Sequence, residues 1–309
     1  MTTTDQELLE ELRPAAFAIA YRMLSSAAAA EDIVQEALLR LHNALEDGER
    51  IESPRAYVAT VVTRLAIDEL RSARVRRETY VGEWLPEPLV TDAADDPAHH
   101  AEMADSLSLA FLVLLESLSP EQRAALLLHD VFDYGYAEIA GIIGKSEANA
   151  RQLAARARRH VEARKPRFET SREQRERLAQ RFFAAAQEGD LGALEALLAD
   201  DVELHGDGGG KAPALARPLH GRSRVARTFL AWMRQGALIP GVEIRRTEVN
   251  GQPGALVLDG DGKLIGVMAL DIAVGRVQGI RSIVNPDKLR RLGPVGDVRA
   301  LLKRRRAAR

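Results

Sequence analysis

The chain has 309 residues, 46% hydrophobic and 28% charged, as expected of a soluble globular protein with two or three domains. It has no cysteine, which excludes disulfides and thiolate metal sites. The formal net charge of -2 hides a segregation: arginines gather at 71–77, 151–172 and 303–309, and acids at 91–105 and 188–201. No apolar run has the length of a signal-peptide core or a membrane span, so the expectation is a cytoplasmic protein without a membrane partner.

Residues 5 to about 80 carry a helical period. Leu8, Leu9, Leu12, Ala16, Ile19 and Ala20 open one amphipathic run, and Ile33, Val34, Ala37, Leu38 and Leu41 form another. Ser53-Pro54 starts a third helix, with serine as cap and proline in the first turn. Its expected buried stripe is Val58, Val61, Val62 and Leu65, with Thr60, Thr63, Arg64, Ile67, Arg71 and Arg74 on a different side. From 81 to about 106 the period is lost among Trp84-Leu-Pro-Glu-Pro88, Asp95-Asp96-Pro97 and His99-His100, which predicts a linker. Two adjacent histidines without further ligands do not define a metal site.

A second helical block runs over 107–165, with Ser119-Pro120-Glu121 as a helix start. Within it, Tyr136 to Ile143 predicts a short helix packed through Ala137, Ile139, Ala140 and Ile143. Gly144 can leave that helix in a left-handed conformation, and Ser146 is placed to cap the next. In the following helix Ala150, Leu153, Ala154, Ala157 and Val161 form one stripe. Asn149, Gln152, Arg156 and Arg159 lie on the other side, with Arg151 and Arg158 at its edges. This is a helix–turn–helix whose amides can meet base edges and whose guanidiniums can meet phosphates. The pattern alone also fits an ordinary helix pair with a solvated arginine face.

A polar break at 166–173 precedes a region of different character, 174–290. Leu178 to Leu198 predicts two short helices joined by Glu188-Gly189-Asp190. Strand-like runs follow at Val202–His205, Ala255–Leu258, Leu264–Ile272 and Val277–Val284, so an antiparallel sheet with helices is expected. Asp207-Gly-Gly-Gly-Lys211 is not a nucleotide loop: His205 stands where that motif needs its first glycine, and Ala212 replaces the hydroxyl residue. Asp259-Gly-Asp-Gly262 follows a calcium loop for four residues only and predicts a hairpin turn. A basic tail spans 291–309, and its end, Lys303 to Arg309, is expected to be mobile and able to pair with DNA or an acidic surface.

The first half of the chain resembles an extracytoplasmic-function sigma factor of bacterial RNA polymerase, on several motifs in the family's order. Ala30-Glu-Asp-Ile-Val-Gln-Glu36 is similar to the polymerase-binding helix of sigma region 2. Val61-Val-Thr-Arg-Leu-Ala-Ile-Asp68, followed by Arg71, Arg74, Arg76 and Arg77, is similar to the promoter-melting helix. Leu118-Ser-Pro-Glu-Gln-Arg123 and Tyr136-Ala-Glu-Ile-Ala140 resemble sigma region 4. The remainder resembles the subgroup with a fused C-terminal SnoaL-like domain, through Trp84-Leu-Pro-Glu-Pro88, Asp207-Gly-Gly-Gly-Lys211 and Asn285-Pro-Asp-Lys-Leu289. Arg64 stands where many sigma factors have asparagine, so base preference at the minus-ten element is not carried over.

The resemblance implies two all-α sigma domains, the second with the helix–turn–helix, followed by an α+β cone-shaped SnoaL-like domain. It implies a non-enzymatic promoter-specificity subunit whose partners are core RNA polymerase and promoter DNA, with no cofactor or metal. Asp32, Gln35 and Glu36 would meet polymerase. Thr60, Thr63, Arg64, Arg71 and Arg74 would meet melted minus-ten DNA. Ser146, Asn149, Arg151, Gln152, Arg156 and Arg159 would meet the minus-thirty-five element, Arg158 assisting on its backbone. Trp84, Pro86, Asp207, Gly208, Gly209, Gly210, Lys211, Asn285, Pro286, Asp287 and Lys288 would form an interdomain regulatory contact acting in cis. The alternative is a helix–turn–helix regulator fused to a small-molecule-binding or isomerase/cyclase-like domain. Its acid–base candidates would be Glu203, His205, Asp207, His220 and Asp271.

Overall fold

The computed structural model describes residues 3–77, 80–90, 106–162 and 171–307, with backbone only at 3–5, 73–77 and 304–307. The side chains of Arg74, Arg76 and Arg77, and all of His99 and His100, lie outside the described residues. The chain divides into two compact units: Met1–Thr79 with Leu112–Lys165, and Tyr80–Phe111 with Pro166–Arg309. Among the described residues, no helix is long and apolar enough to cross a membrane.

The first unit opens with α1 (Thr3–Leu24), α2 (Ala27–Glu46) and α3 (Pro54–Arg77). Each start has a local cause: Ser26 Oγ accepts from the Ala29 N–H at 3.3 Å, and Ser53 Oγ from the Ala56 N–H at 3.2 Å. Ile19, Val34, Leu41 and Val62 are buried where the three helices meet. After α4 (Leu109–Leu115), which crosses the boundary between the units, α5 (Pro120–Asp130) starts on a Ser119–Gln122 capping box. The helix–turn–helix is α6 (Tyr136–Ile143) and α7 (Glu147–Glu162), joined through Gly144 at φ 65° and ψ 41°. Ala137, expected in the packing, is exposed, and Ile142 is buried in its place. Ile139, Ala140 and Ile142 span one arc of α6, and Ala137, about 160° round the helix from Ile139, falls outside it.

The two sigma-like regions, read from the sequence as separate modules, pack into this one unit. Arg123 of α5 is 2% exposed. Its Nη1 donates to the Met23 carbonyl of α1 at 2.6 Å and its Nε to the Leu115 carbonyl at 3.0 Å, while Nη2 pairs with Glu116 at 2.8 Å. Burial lowers this guanidinium to about 9. Arg22 of α1 is likewise lowered to about 10 by burial, and its guanidinium lies 5.6 Å from the centre of the Phe132 ring.

The second unit contains α8 (Arg172–Glu188) and α9 (Leu191–Leu197), joined as expected through Gly189 at φ 74° and the cap Asp190. Next come β1 (Leu198–Asp207), β2 (Leu219–His220), α10 (Arg222–Gly236), β3 (Glu243–Val249), β4 (Gln252–Leu258), β5 (Leu264–Ala273) and β6 (Arg276–Ile283). The sheet order is β2-β1-β6-β5-β4-β3. The sheet is mixed rather than antiparallel, because the chain returns through α10 and three strands to lay β6 parallel beside β1. The helices cover one face, where Phe182 meets Phe183 at 5.4 Å and Phe229 at 5.1 Å between ring centroids. Each such aromatic contributes roughly 2–3 kcal/mol of burial. The hairpin turn at 259–262 forms as expected, with Asp259 Oδ1 accepting from the Asp261 and Lys263 N–H groups. The unit ends with α11 (Pro286–Leu289), a short 3₁₀ turn and α12 (Val298–Ala307). The helix α12 takes in 303–307 of the end expected to be mobile, and Asp297 Oδ1 caps it at the Ala300 N–H, 2.9 Å away.

Arg123→Ala is expected to leave two buried carbonyls and Glu116 without their donor. It should lower the stability of the first unit by about 3 kcal/mol, read as a shift of its urea unfolding midpoint.

Candidate nucleic-acid interface and linker clasp

Along α7 the apolar positions Ala150, Ala154, Ala157 and Val161 are buried against the unit, while Asn149, Gln152, Arg156 and Arg159 are exposed. The structure therefore presents these four on one outward face. Ser146 is exposed and its Oγ accepts from the Asn149 N–H at 3.3 Å, so it shapes the start of the helix that carries them. Arg151 pairs with Glu147 at 2.7 Å and its guanidinium lies 5.1 Å from the Tyr136 ring centre, which fixes its direction. Arg158 is drawn aside: its Nε donates to Asp130 at 2.9 Å, and this bonding pushes its pKa still higher. The exposed charge on this outward face is that of Arg156 and Arg159.

On α2, Asp32 and Gln35 are exposed, while Glu36 is half-buried and pairs with Arg40 at 2.7 Å. On α3 the expected DNA side breaks up. Thr63 is wholly buried and its hydroxyl has no partner, and Ile67 is buried too. Both fall on the packed arc with Ala59, Val62, Ala66 and Leu70. Thr60 donates to its own helix at Ala56, 2.7 Å away. The arginines are occupied. Arg64 donates to the Gly141 and Ile142 carbonyls at the end of α6, both at 2.9 Å, and so satisfies acceptors a helix end leaves open. Arg71 pairs with Glu121 at 2.7 Å. Burial would raise the Glu121 carboxyl, but the Arg71 bond brings it below its ordinary value. Elements α5 and α6 thus hold both guanidiniums.

In the second unit the segment 80–90, which carries the linker motif expected to make a docking contact, is fixed to the sheet. Its anchor is Asp207, at the end of β1 and wholly buried. Oδ1 accepts from the Tyr80 hydroxyl at 2.5 Å and the Gly209 N–H at 3.0 Å. Oδ2 accepts from the Leu85 N–H at 2.9 Å and Lys288 Nζ at 2.6 Å. Lys288 also donates to the Leu85 carbonyl and lies 4.3 Å from the Trp84 ring centre. Burial, then the bond to Asp207, pushes the Tyr80 phenol well above its ordinary range. Asn285 donates to the Tyr80 oxygen at 2.7 Å, and Lys211 pairs with Asp287. Pro86 is buried in the same segment. The loop needs its glycines: at Gly209, φ is +56° and a Cβ would sit 2.3 Å from Asn285 Nδ2, and at Gly208 it would sit 2.2 Å from the Ala212 carbonyl oxygen. A second anchor lies further along. Leu89 exchanges both backbone hydrogen bonds with Asn250, one through the Asn250 side chain, whose Nδ2 also donates to the Leu107 carbonyl at 3.0 Å.

The two faces of the sheet differ in chemistry. Val202, Leu204, Leu270, Ile272 and Ile280 point into the helix-covered core. Alternation turns Glu203, His205, Asp207, Asp271 and Arg281 to the opposite face. His220 opposes Glu203 across the β1–β2 ladder and shares that face. There His205 contacts Glu83 of the linker at 2.5 Å and Glu203 at 2.9 Å, and Arg281 pairs with Asp271 at 2.8 Å. On the helix side a cavity of about 650 Å³ opens between α10, the sheet and α12. All five acid–base candidates are therefore separated from the cavity by the sheet.

The sequence matches the description of Sigma-70 region 2 over residues 8–76, of Sigma-70 region 4 over 108–161, and of a SnoaL-like domain over 179–283. It is 41% identical to the ECF RNA polymerase sigma factor SigJ of Mycobacterium tuberculosis, over 90% of this chain and 91% of that protein. The chain is an extracytoplasmic-function RNA polymerase sigma factor. This sigma factor is also 32% identical to the probable ECF sigma factor SigI of the same species, over 88% of its own length and 90% of the relative's. The crystal structure of SigJ superposes with a TM-score of 0.75 at 38% identity, covering 94% of this sigma factor and 99% of that chain.

Tyr80, Glu83, Asn250 and Arg299 all touch the clasp region and were not among the sequence-derived candidates. Glu83 and the sequence-derived Trp84 belong to one short segment, but their partners lie more than 100 residues away, and no local pattern encodes that pairing. Replacing Asp207 by Asn should leave the largely buried Lys288 ammonium without its counter-ion. This should destabilise the second unit by about 3 kcal/mol in urea unfolding. Asp207→Asn combined with Lys288→Met should recover part of that loss; purely additive effects would show that the pair is not coupled.

Proposed function

We propose that this sigma factor directs promoter-specific transcription by core RNA polymerase and that its own SnoaL-like domain restrains it in cis. In this reading Asp32, Gln35 and Glu36 meet polymerase. Thr60, Arg64, Arg71 and Arg74 meet the melted minus-ten strand, and the α7 face reads the minus-thirty-five element. Trp84, Pro86, the loop 207–211 and Asn285 to Lys288 are the regulatory contact. The observation that carries the restraint is the burial of Asp207 under donors from the linker.

The physical argument is one of reach. Regions 2 and 4 are joined through 80–111, a stretch that could span roughly 110 Å if fully extended. With 80–90 held at Asp207 and Asn250, and Leu107 held at Asn250, only the part between remains to extend. The occupied Arg64 and Arg71 support the same reading, since they must leave their region 4 partners before they can hold DNA. Opening the clasp lengthens the tether and favours the separated, polymerase-competent arrangement.

The SnoaL-like domain is read as a binding module rather than an enzyme. Support comes from the acid–base candidates, which face away from the cavity where a substrate would sit. The molecule that this module takes is small and enters that cavity.

Run-off transcription with core polymerase tests the restraint. Full-length Asp207→Ala should yield several-fold more transcript than the unmodified protein at equal polymerase binding, and equal yield would reject restraint through the clasp. On a set of promoter variants, Arg156→Ala should weaken binding evenly and lower the salt slope by about one unit. Gln152→Ala should cost ~1–3 kcal/mol at a single base pair and leave the other positions unchanged.

A further inference from the structure

The cavity beneath the sheet has a wall of its own in the C-terminal helix. Phe229, Trp232, Met233, Met268 and Ile265 line it from α10 and β5, and Val298 and Leu302 of α12 close one side. The charged lining residues, Glu188 and Arg234, are exposed and sit at the mouth. Among the buried lining residues Ser282 is the polar one. Arg299, one residue after Val298, flanks the cavity stripe of α12 and donates to the Gly210 carbonyl at 2.7 Å. Gly210 belongs to the loop that carries Asp207.

We infer that α12 is a lid over a site for an uncharged, mainly apolar small molecule, and that Arg299 transmits occupancy of that site to the clasp. The inference rests on the proposed cis restraint and names its effector site. The lining sets the chemistry. An ionised ligand would lose its hydration against apolar walls with no buried counter-charge, whereas an uncharged molecule with one hydrogen-bonding group can use Ser282. The direction follows from the geometry. The cavity exists with α12 seated, so a molecule that fills it gains the Val298 and Leu302 contacts only in that state. It therefore stabilises the seated helix, the Arg299–Gly210 bond and the loop around Asp207. A ligand of this class tightens the clasp, and its departure loosens it.

The test uses the full-length protein and N-phenyl-1-naphthylamine, an uncharged fluorescent probe. The probe should bind saturably, one per chain, and slow amide hydrogen exchange across 207–211 and at Leu85 by at least several-fold. Leu302→Arg, which places a charge on the wall, should weaken probe binding at least tenfold. Arg299→Ala should bind the probe as the unmodified protein does, yet lose the added protection at 207–211. Unsaturable binding, or binding unchanged by Leu302→Arg, overturns the site. Protection that persists in Arg299→Ala overturns the transmission. These readouts need no polymerase, so their failure is separable from that of the restraint, which the transcription yield of Asp207→Ala decides.

Discussion

A carboxylate taken wholly out of water is tolerated only where donors replace its hydration, and at Asp207 four converge: a phenol, two backbone N–H groups and an ammonium. Two of the four, Tyr80 and Leu85, come from the segment that leads away from region 2. Withdrawing that segment would strand the charge with half its donors, so the linker is fixed by the cost of exposing the alternative rather than by any large apolar burial. The tolerances around it are equally narrow, since Gly208 and Gly209 bring the backbone to Ala212 and Asn285 at distances a side chain forbids. The three-glycine run is thus a geometric requirement of one buried charge.

Two guanidiniums, one buried and one exposed, bridge elements of the first unit. Arg123 spans from α5 to a carbonyl of α1, and Arg64 from α3 to the last carbonyls of α6. Guanidinium-to-carbonyl bonds of this kind are directional and few. The aromatic core around Phe182 is held differently, by non-directional apolar burial.

The helix–turn–helix was legible because its determinants are local: a glycine able to take positive φ, a serine cap and a stripe at helical spacing gave α6 and the start of α7 without tertiary information. The outward set Asn149, Gln152, Arg156 and Arg159 followed from the same periodicity. Thr63 was misplaced because its residue type suggested exposure while its angular position, one turn from Ala59 and Ala66, put it in the core. β3 escaped notice because Glu243, Arg245, Arg246 and Glu248 are what an edge strand uses to stay soluble, and they mask its alternation. The parallel pairing of β1 with β6 and the roles of Tyr80, Glu83 and Asn250 depend on contacts between residues far apart in the chain, which leave no periodic trace.

Alternation along β1 joins the two halves of the domain's chemistry. Val202 and Leu204 face the helices, Gly206 lines the cavity, and between them Glu203, His205 and Asp207 face the linker. One strand therefore has an apolar, cavity-facing side and a charged side that meets the linker. A shift of β1 by a single residue would exchange them and bury three ionisable groups in the core. That penalty makes the strand a stiff partition between the cavity and the clasp. The end of β1 is the 207–211 loop, and Arg299 meets that loop from the helix that covers the cavity.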